Sequence, residues 1–170
     1  GMREVTEAGQ TGVQVDLYIL ANPDDVVDPT TMTADQTLTV HAAGYDASDN
    51  YLGDQTVTWD SNGLTPELNS SGTSITFSPK TAPASGTITA DHASATDDVT
   101  GLITVSVGTA HHVKVLADHM GETAEVTASG LTTGDKLKVH ASSFDADDNY
   151  IADVSVNWGL SGGIGTLSKV

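Results

Sequence analysis

The chain has 170 residues, enough for one or two domains with a real core, and its 38% apolar content is that of a folded protein. Six Lys+Arg against 23 Asp+Glu leave a formal net charge of −17, which repels phosphate backbones and anionic headgroups and sets nucleic acid aside as a partner. With no cysteine there is no disulfide scaffold, Fe–S cluster, thiolate zinc site or thiol nucleophile, and no apolar run reaches the roughly 18 residues of a membrane-spanning helix.

Of the acidic residues 18 are Asp and five are Glu. Asp favours turns and Glu favours helices, so the skew predicts a turn-rich β protein. Residues 1–10 read as a tag remnant and leader, because Gly1 precedes Met2 and no export signal follows. This opening suggests a fragment of a longer chain. Val13, Val15, Leu17 and Ile19 then alternate with Gln14, Asp16 and Tyr18, the period of a half-buried strand. Further runs lie at Leu38, Val40 and Ala42, at Val57 and Trp59, at Ile75 and Phe77, at Ile88 and Ala90, and at Ile103, Val105 and Val107. Thr, Val and Ile dominate them and suit a pleated surface. Turn residues punctuate the runs at Asn22-Pro23-Asp24-Asp25, Ser61-Asn62-Gly63, Ser70-Ser71-Gly72 and Pro83-Ala84-Ser85-Gly86. No window of ten or more residues keeps a helical period. About seven short strands predict an all-β sandwich over residues 11–108.

A second stretch repeats the first. Residues 41–59, HAAGYDASDNYLGDQTVTW, align without a gap with residues 140–158, HASSFDADDNYIADVSVNW, at an offset of 99, and ten of the 19 positions are identical. The same offset pairs Val27 with Val126, Met32 with Leu131, Leu38 with Leu137, Val40 with Val139 and Leu68 with Leu167, and it superposes the two tryptophans, Trp59 and Trp158. A period near 100 residues is that of one sandwich domain and too long for a solenoid unit. The expectation is therefore a tandem repeat. The first copy is whole, a Gly108-Thr109-Ala110 linker is too short to allow much freedom, and a second, truncated copy over 109–170 lacks its last three strands. Such a copy would present apolar faces and open edges, a place for self-association or for strands from elsewhere in a longer protein. Trp59 and Trp158, each on the Val face of a Val-x-Trp run, are expected in the core, as in an immunoglobulin-like β-sandwich, rather than as sugar-stacking platforms.

The stretch from Tyr45 to Trp59, with its aromatic–Asp opening, Asp-Asn-Tyr turn and Val-x-Trp strand, resembles the middle of bacterial immunoglobulin-like repeats of the invasin/intimin type, and the residues 103–110 resemble the joint between two such repeats. Asp49 and Asp148 stand where that pattern has a turn glycine, a position Asp tolerates better than most residues. The resemblance implies a secreted or cell-surface bacterial protein built from such modules and no particular ligand. The first reading is a structural spacer or adhesion scaffold, whose edges and end loops would supply any contact with a protein or carbohydrate surface ligand. The alternative is a carbohydrate- or calcium-binding accessory domain of a larger extracellular protein or enzyme.

No catalytic, cofactor or metal residue is assigned. Gly-x-Ser-x-Gly, His-Glu-x-x-His and phosphate-loop patterns are missing from the sequence, and Asp91-His92 carries no information among so many Ser and Asp. The Asp-x-Asp-x-Asn spacing of Asp145, Asp147 and Asn149 resembles the start of a calcium loop, but Tyr150 and Val156 stand where an EF-hand needs Gly and Glu. Asp46 opens the same segment in the first copy. A strand-joining turn is favoured over a looser calcium site. His111 and His112, with Asp118 and His119 nearby, fall on a predicted strand, where neighbours point to opposite faces and do not converge on a metal. His41 and His140 are expected at solvated or edge positions. Asn69-Ser70-Ser71 is a glycosylation sequon that matters only in a eukaryotic secretory setting.

Overall fold

The computed structural model describes residues 3–7, 10–14, 16–22, 25–27, 29–46, 48, 50–117, 125–126, 130–163 and 165–168, with side chains from Val27 onward. All regular structure among them is β. Contacts divide the chain into two units, Gly1–Gly108 and Thr109–Val170.

The first unit contains β1 (Arg3–Glu7), β2 (Gln10–Gln14), β3 (Asp16–Asn22), β4 (Asp25–Val26), β5 (Thr30–Thr33), β6 (Leu38–Tyr45), β7 (Tyr51–Asp54), β8 (Val57–Asn62), β9 (Asn69–Gly72), β10 (Ser74–Phe77), β11 (Ala84–Asp91), β12 (Asp98–Val99) and β13 (Ile103–Ser106). Three sheets result. β1 and β2 form a hairpin. A five-stranded sheet runs β10-β6-β3-β4, with β7 also on β6. A six-stranded sheet runs β5-β13-β11-β8-β9, with β12 also on β11. All pairs are antiparallel except β5 with β13, which are parallel.

The two larger sheets share one core. β6 and β10 contribute Val40, Ala42 and Phe77. The other sheet contributes Met32, Val57, Trp59, Ile88, Ala90, Ile103 and Val105, and Val27, Ala34, Leu64 and Leu68 join from connections. Alternation does the sorting: along β8, Val57 and Trp59 are buried while Thr58 and Asp60 are exposed. Trp59 has no exposed surface, and its indole Nε1 donates to the Gly72 carbonyl at 3.1 Å, so the ring enters the core with its polar edge satisfied.

Several local expectations fail here. The strand expected over residues 13–19 is divided between β2, which pairs with β1, and β3, which pairs with β6. Val15 and the side chains that would test the alternation lie outside the described residues, as do Gly1 and Met2. Residues 3–7, read as leader, pair as a strand. Ser70-Ser71-Gly72, read as a turn, lies in β9, because the ladder to β8 satisfies its backbone. Ala84, Ser85 and Gly86 open β11 for a different reason. A Cβ on Gly86 would stand 2.0 Å from the Asn62 carbonyl oxygen, so this glycine permits close passage of two chains rather than a reversal.

The second unit contains β14 (His112–Leu116), β15 (His140–Phe144) and β16 (Tyr150–Asp153) in one antiparallel sheet, β14-β15-β16. It reproduces the first unit at β15–β16 and departs from it beyond. Ser142 pairs with Asp153, Ser143 with Ala152 and Phe144 with Tyr150, with a bulge after Ser143. Each pair lies 99 residues after Ala43–Asp54, Gly44–Gly53 and Tyr45–Tyr51, where the bulge follows Gly44. The tryptophan segment does not repeat. Residues 154–163 form no strand, and Trp158 is 38% exposed, which corrects its expected place in a core. Leu131, Leu137 and Leu167 are likewise exposed where Met32 and Leu68 are buried and Leu38 is half-buried. The reason is non-local. Trp59 is covered by Ile88, Ala90, Ile103 and Val105 from β11 and β13, and positions 99 residues after these exceed the 170 of this chain.

Candidate functional site

The polar residues singled out in the sequence gather at the β6–β7 and β15–β16 hairpins. In the second hairpin, Asp145 is wholly buried and Asn149 nearly so. Asp145 Oδ1 accepts from the amide of Asp147 at 3.0 Å, the amide of Asn149 at 2.9 Å and Asn149 Nδ2 at 3.1 Å, and Oδ2 accepts from the same Nδ2 at 2.9 Å. Asp145 N donates to the Asn149 carbonyl at 3.0 Å, and Asp148 takes a left-handed φ of 66°. The residue at the turn-glycine position thus adopts the conformation that position demands.

The first hairpin has the same wiring. Asp46 Oδ1 accepts from the amides of Ser48 at 2.8 Å and Asn50 at 2.9 Å, and both oxygens accept from Asn50 Nδ2, at 3.1 and 3.0 Å. The side-chain amide of Asn50 and these backbone amides hold the Asp46 carboxyl below the usual carboxylate value. Asp49 and Ala47 lie outside the described residues. Both hairpins also close with a phenol on a carboxylate, Tyr51 on Asp54 and Tyr150 on Asp153, beside aromatic pairs Tyr45–Tyr51 and Phe144–Tyr150 with centroids 5.7 and 5.9 Å apart. Each opening carboxylate accepts N–H bonds from the residues two and four positions on, the wiring of an Asx turn. The arrangement is that of a turn.

A second cluster lies on β14 and β15. His112 is opposite Phe144 in the register, and its ring stacks on that phenyl with centroids 5.8 Å apart. Lys114, two residues on and so on the same face, places Nζ 4.9 Å from the Phe144 centroid. Both side chains reach one carboxylate oxygen: Asp148 Oδ1 is 2.7 Å from Lys114 Nζ and 2.8 Å from His112 Nε2. The Lys114 ammonium, with His112, holds the Asp148 carboxyl below its usual value against a smaller opposing effect of burial. Sequence reading missed this cluster. The signal was the i, i+2 spacing of His112 and Lys114, but the partner strand was not known.

The expectation that His111 and His112 diverge is corrected. His111 precedes the strand, its amide held by the Phe144 carbonyl at 2.8 Å, so strand alternation does not govern it. The two rings meet edge to face, with Nδ1 atoms 3.4 Å apart. Asp118 and His119 lie outside the described residues. Among the described residues no group of three or more His, Asp or Glu side chains is placed to hold a metal ion.

The remaining candidates are structural. His92 Nδ1 accepts from the amides of Ser94 at 3.2 Å and Ala95 at 2.9 Å, which fixes a turn. His41 is half-buried on β6 and pairs with strands on both sides, through Leu20 and Ser74, so it is not at an edge. An open depression of about 460 Å³ between β5 and the start of β6 is lined by three threonines with Met32, Leu38, Asp35 and Gln36. No helix among the described residues is long and apolar enough to cross a membrane.

Fold and hairpins together define an all-β protein with carboxylate-capped turns. No family model matches the chain, and comparisons with curated proteins and with solved structures give no match.

Proposed function

We propose that this chain is a non-catalytic, immunoglobulin-like module, present in one whole and one partial copy, of a secreted or cell-surface bacterial protein, where it serves as a structural spacer or adhesion scaffold. The observation that carries the reading is the pair of hairpins 99 residues apart, with one register, one bulge position and one carboxylate-capped turn. Modules strung along a surface protein share turns and core strands rather than reactive groups, and here Asp46 with Asn50 and Asp145 with Asn149 serve the turn itself. The two-sheet core around Trp59 supports the sandwich, and the resemblance of residues 45–59 to invasin/intimin-type repeats supports the setting. The strongly acidic composition suits a soluble, self-repelling surface segment.

The direct test is labelling of intact producing bacteria with antibody against this chain, beside lysed cells. Signal on intact cells is expected, and signal only after lysis would rule out the surface assignment. Millimolar calcium should leave the melting temperature unchanged. A rise of several degrees would replace the scaffold with a calcium-binding module.

A further inference from the structure

We infer that His111 and His112 form a two-imidazole site for a first-row divalent transition-metal ion of the zinc and copper class. Three features of the geometry converge. The Nδ1 atoms are 3.4 Å apart, and two nitrogens bound to one tetrahedral zinc at its usual bond length are separated by about 3.3–3.4 Å. The far side of the His112 ring is already committed: Nε2 lies 2.8 Å from Asp148 Oδ1. A carboxylate there keeps the proton on Nε2 and leaves the Nδ1 lone pair directed at His111, the outer support that metal-binding histidines characteristically have. Finally, both residues are held before any ion arrives, His112 by stacking on Phe144 and His111 by its amide bond to the Phe144 carbonyl.

A lone hydrogen bond between the Nδ1 atoms is the competing use of this contact, and at 3.4 Å it is a long one. A metal ion replaces it without moving either backbone: His111 shifts its proton to Nε2, and water completes the coordination. Imidazole selects zinc, copper and nickel over calcium and magnesium. Lys114, sharing Asp148, adds a positive charge near the site and keeps the affinity moderate. The site has no counterpart in the first unit, where Gly12 and Val13 occupy the matching positions.

The test is calorimetric titration of the intact chain with ZnCl2, followed in parallel by the imidazole nitrogen signals of its six histidines. One equivalent should bind with a dissociation constant of about 100 µM or tighter, moving the Nδ1 signals of His111 and His112 and leaving those of His41, His92 and His140 in place. Calcium should not compete. His111→Ala, which removes an exposed ring and leaves the His112–Phe144 stack, should weaken zinc at least tenfold with unchanged melting temperature. Absence of binding, or binding undiminished in His111→Ala, would overturn the site and assign the imidazole contact to a hydrogen bond.

Discussion

Two hairpins of similar sequence fold alike, and the two tryptophans five residues beyond them do not. Asp46 and Asp145 each gather the same N–H groups into the same bulged turn. Trp59 is then sealed under a second sheet, whereas Trp158 stands 38% exposed on a segment without strand partners. The hydrogen bonds of each turn close within five residues, from Asp46 to Asn50 and from Asp145 to Asn149. A tryptophan strand needs neighbours, here β9 on one side and β11 on the other, and an alternating pattern alone does not hold a strand in place.

The sharpest way to break this comparison is to cut both indoles. Trp59→Ala should destabilise the first unit by about 3–5 kcal/mol, while Trp158→Ala should change stability by no more than about 0.5 kcal/mol, both read by chemical denaturation. Fluorescence distinguishes the same pair without unfolding: Trp59 should emit at shorter wavelength and resist iodide, and Trp158 should be quenched. Equal quenching of both would end the contrast. Next in size is Gly86→Ala. Its Cβ meets the Asn62 carbonyl, so β11 must move off β8, at a cost of about 1–3 kcal/mol. The Trp59 emission should shift to longer wavelength, because β11 helps to bury it.

A smaller effect is expected at the turns. Asp145→Ala leaves the amides of Asp147 and Asn149 without their buried acceptor and should cost the second unit about 1–3 kcal/mol. Asp46→Ala, at an exposed turn, should cost the first unit less, as judged by hydrogen exchange of the Ser48 and Asn50 amides. Acid gives the smallest response. The Asp46 and Asp148 carboxyls titrate below their unfolded value of 3.8, so each contributes stability above that pH and gives it up as pH falls through the lower folded value. Salt should separate the two. Added NaCl should raise the Asp148 value, which rests on Lys114, and leave Asp46, which rests on amide hydrogen bonds.

The same division between local and distant causes governs what could be read in advance. Period-two alternation located β6, β8, β10, β11 and β13, and the repeat located both hairpins. β9 was hidden because Asn69-Ser70-Ser71-Gly72 has turn composition and no apolar side chain to mark an alternation. β5 was hidden because its parallel partner, β13, lies some 70 residues away in the chain. The His111–His112 contact was hidden because strand alternation was applied one residue too early. That Asp145 caps its turn was legible in the Asp-x-Asp-x-Asn spacing. That its carboxylate lies under solvent-free cover was not, since burial depends on what packs against it.

The parallel pairing of β5 with β13 has a mechanical consequence. Thr30, Thr31, Met32 and Thr33 run alongside Ile103, Thr104, Val105 and Ser106 in the same direction, with bonds from Thr30 to Leu102 and from Ala34 to Ser106 at the two ends. Tension entering ahead of Thr30 and leaving after Ser106 pulls the two strands past each other along their length. The ladder is then loaded in shear, so its bonds bear the force together instead of unzipping one after another.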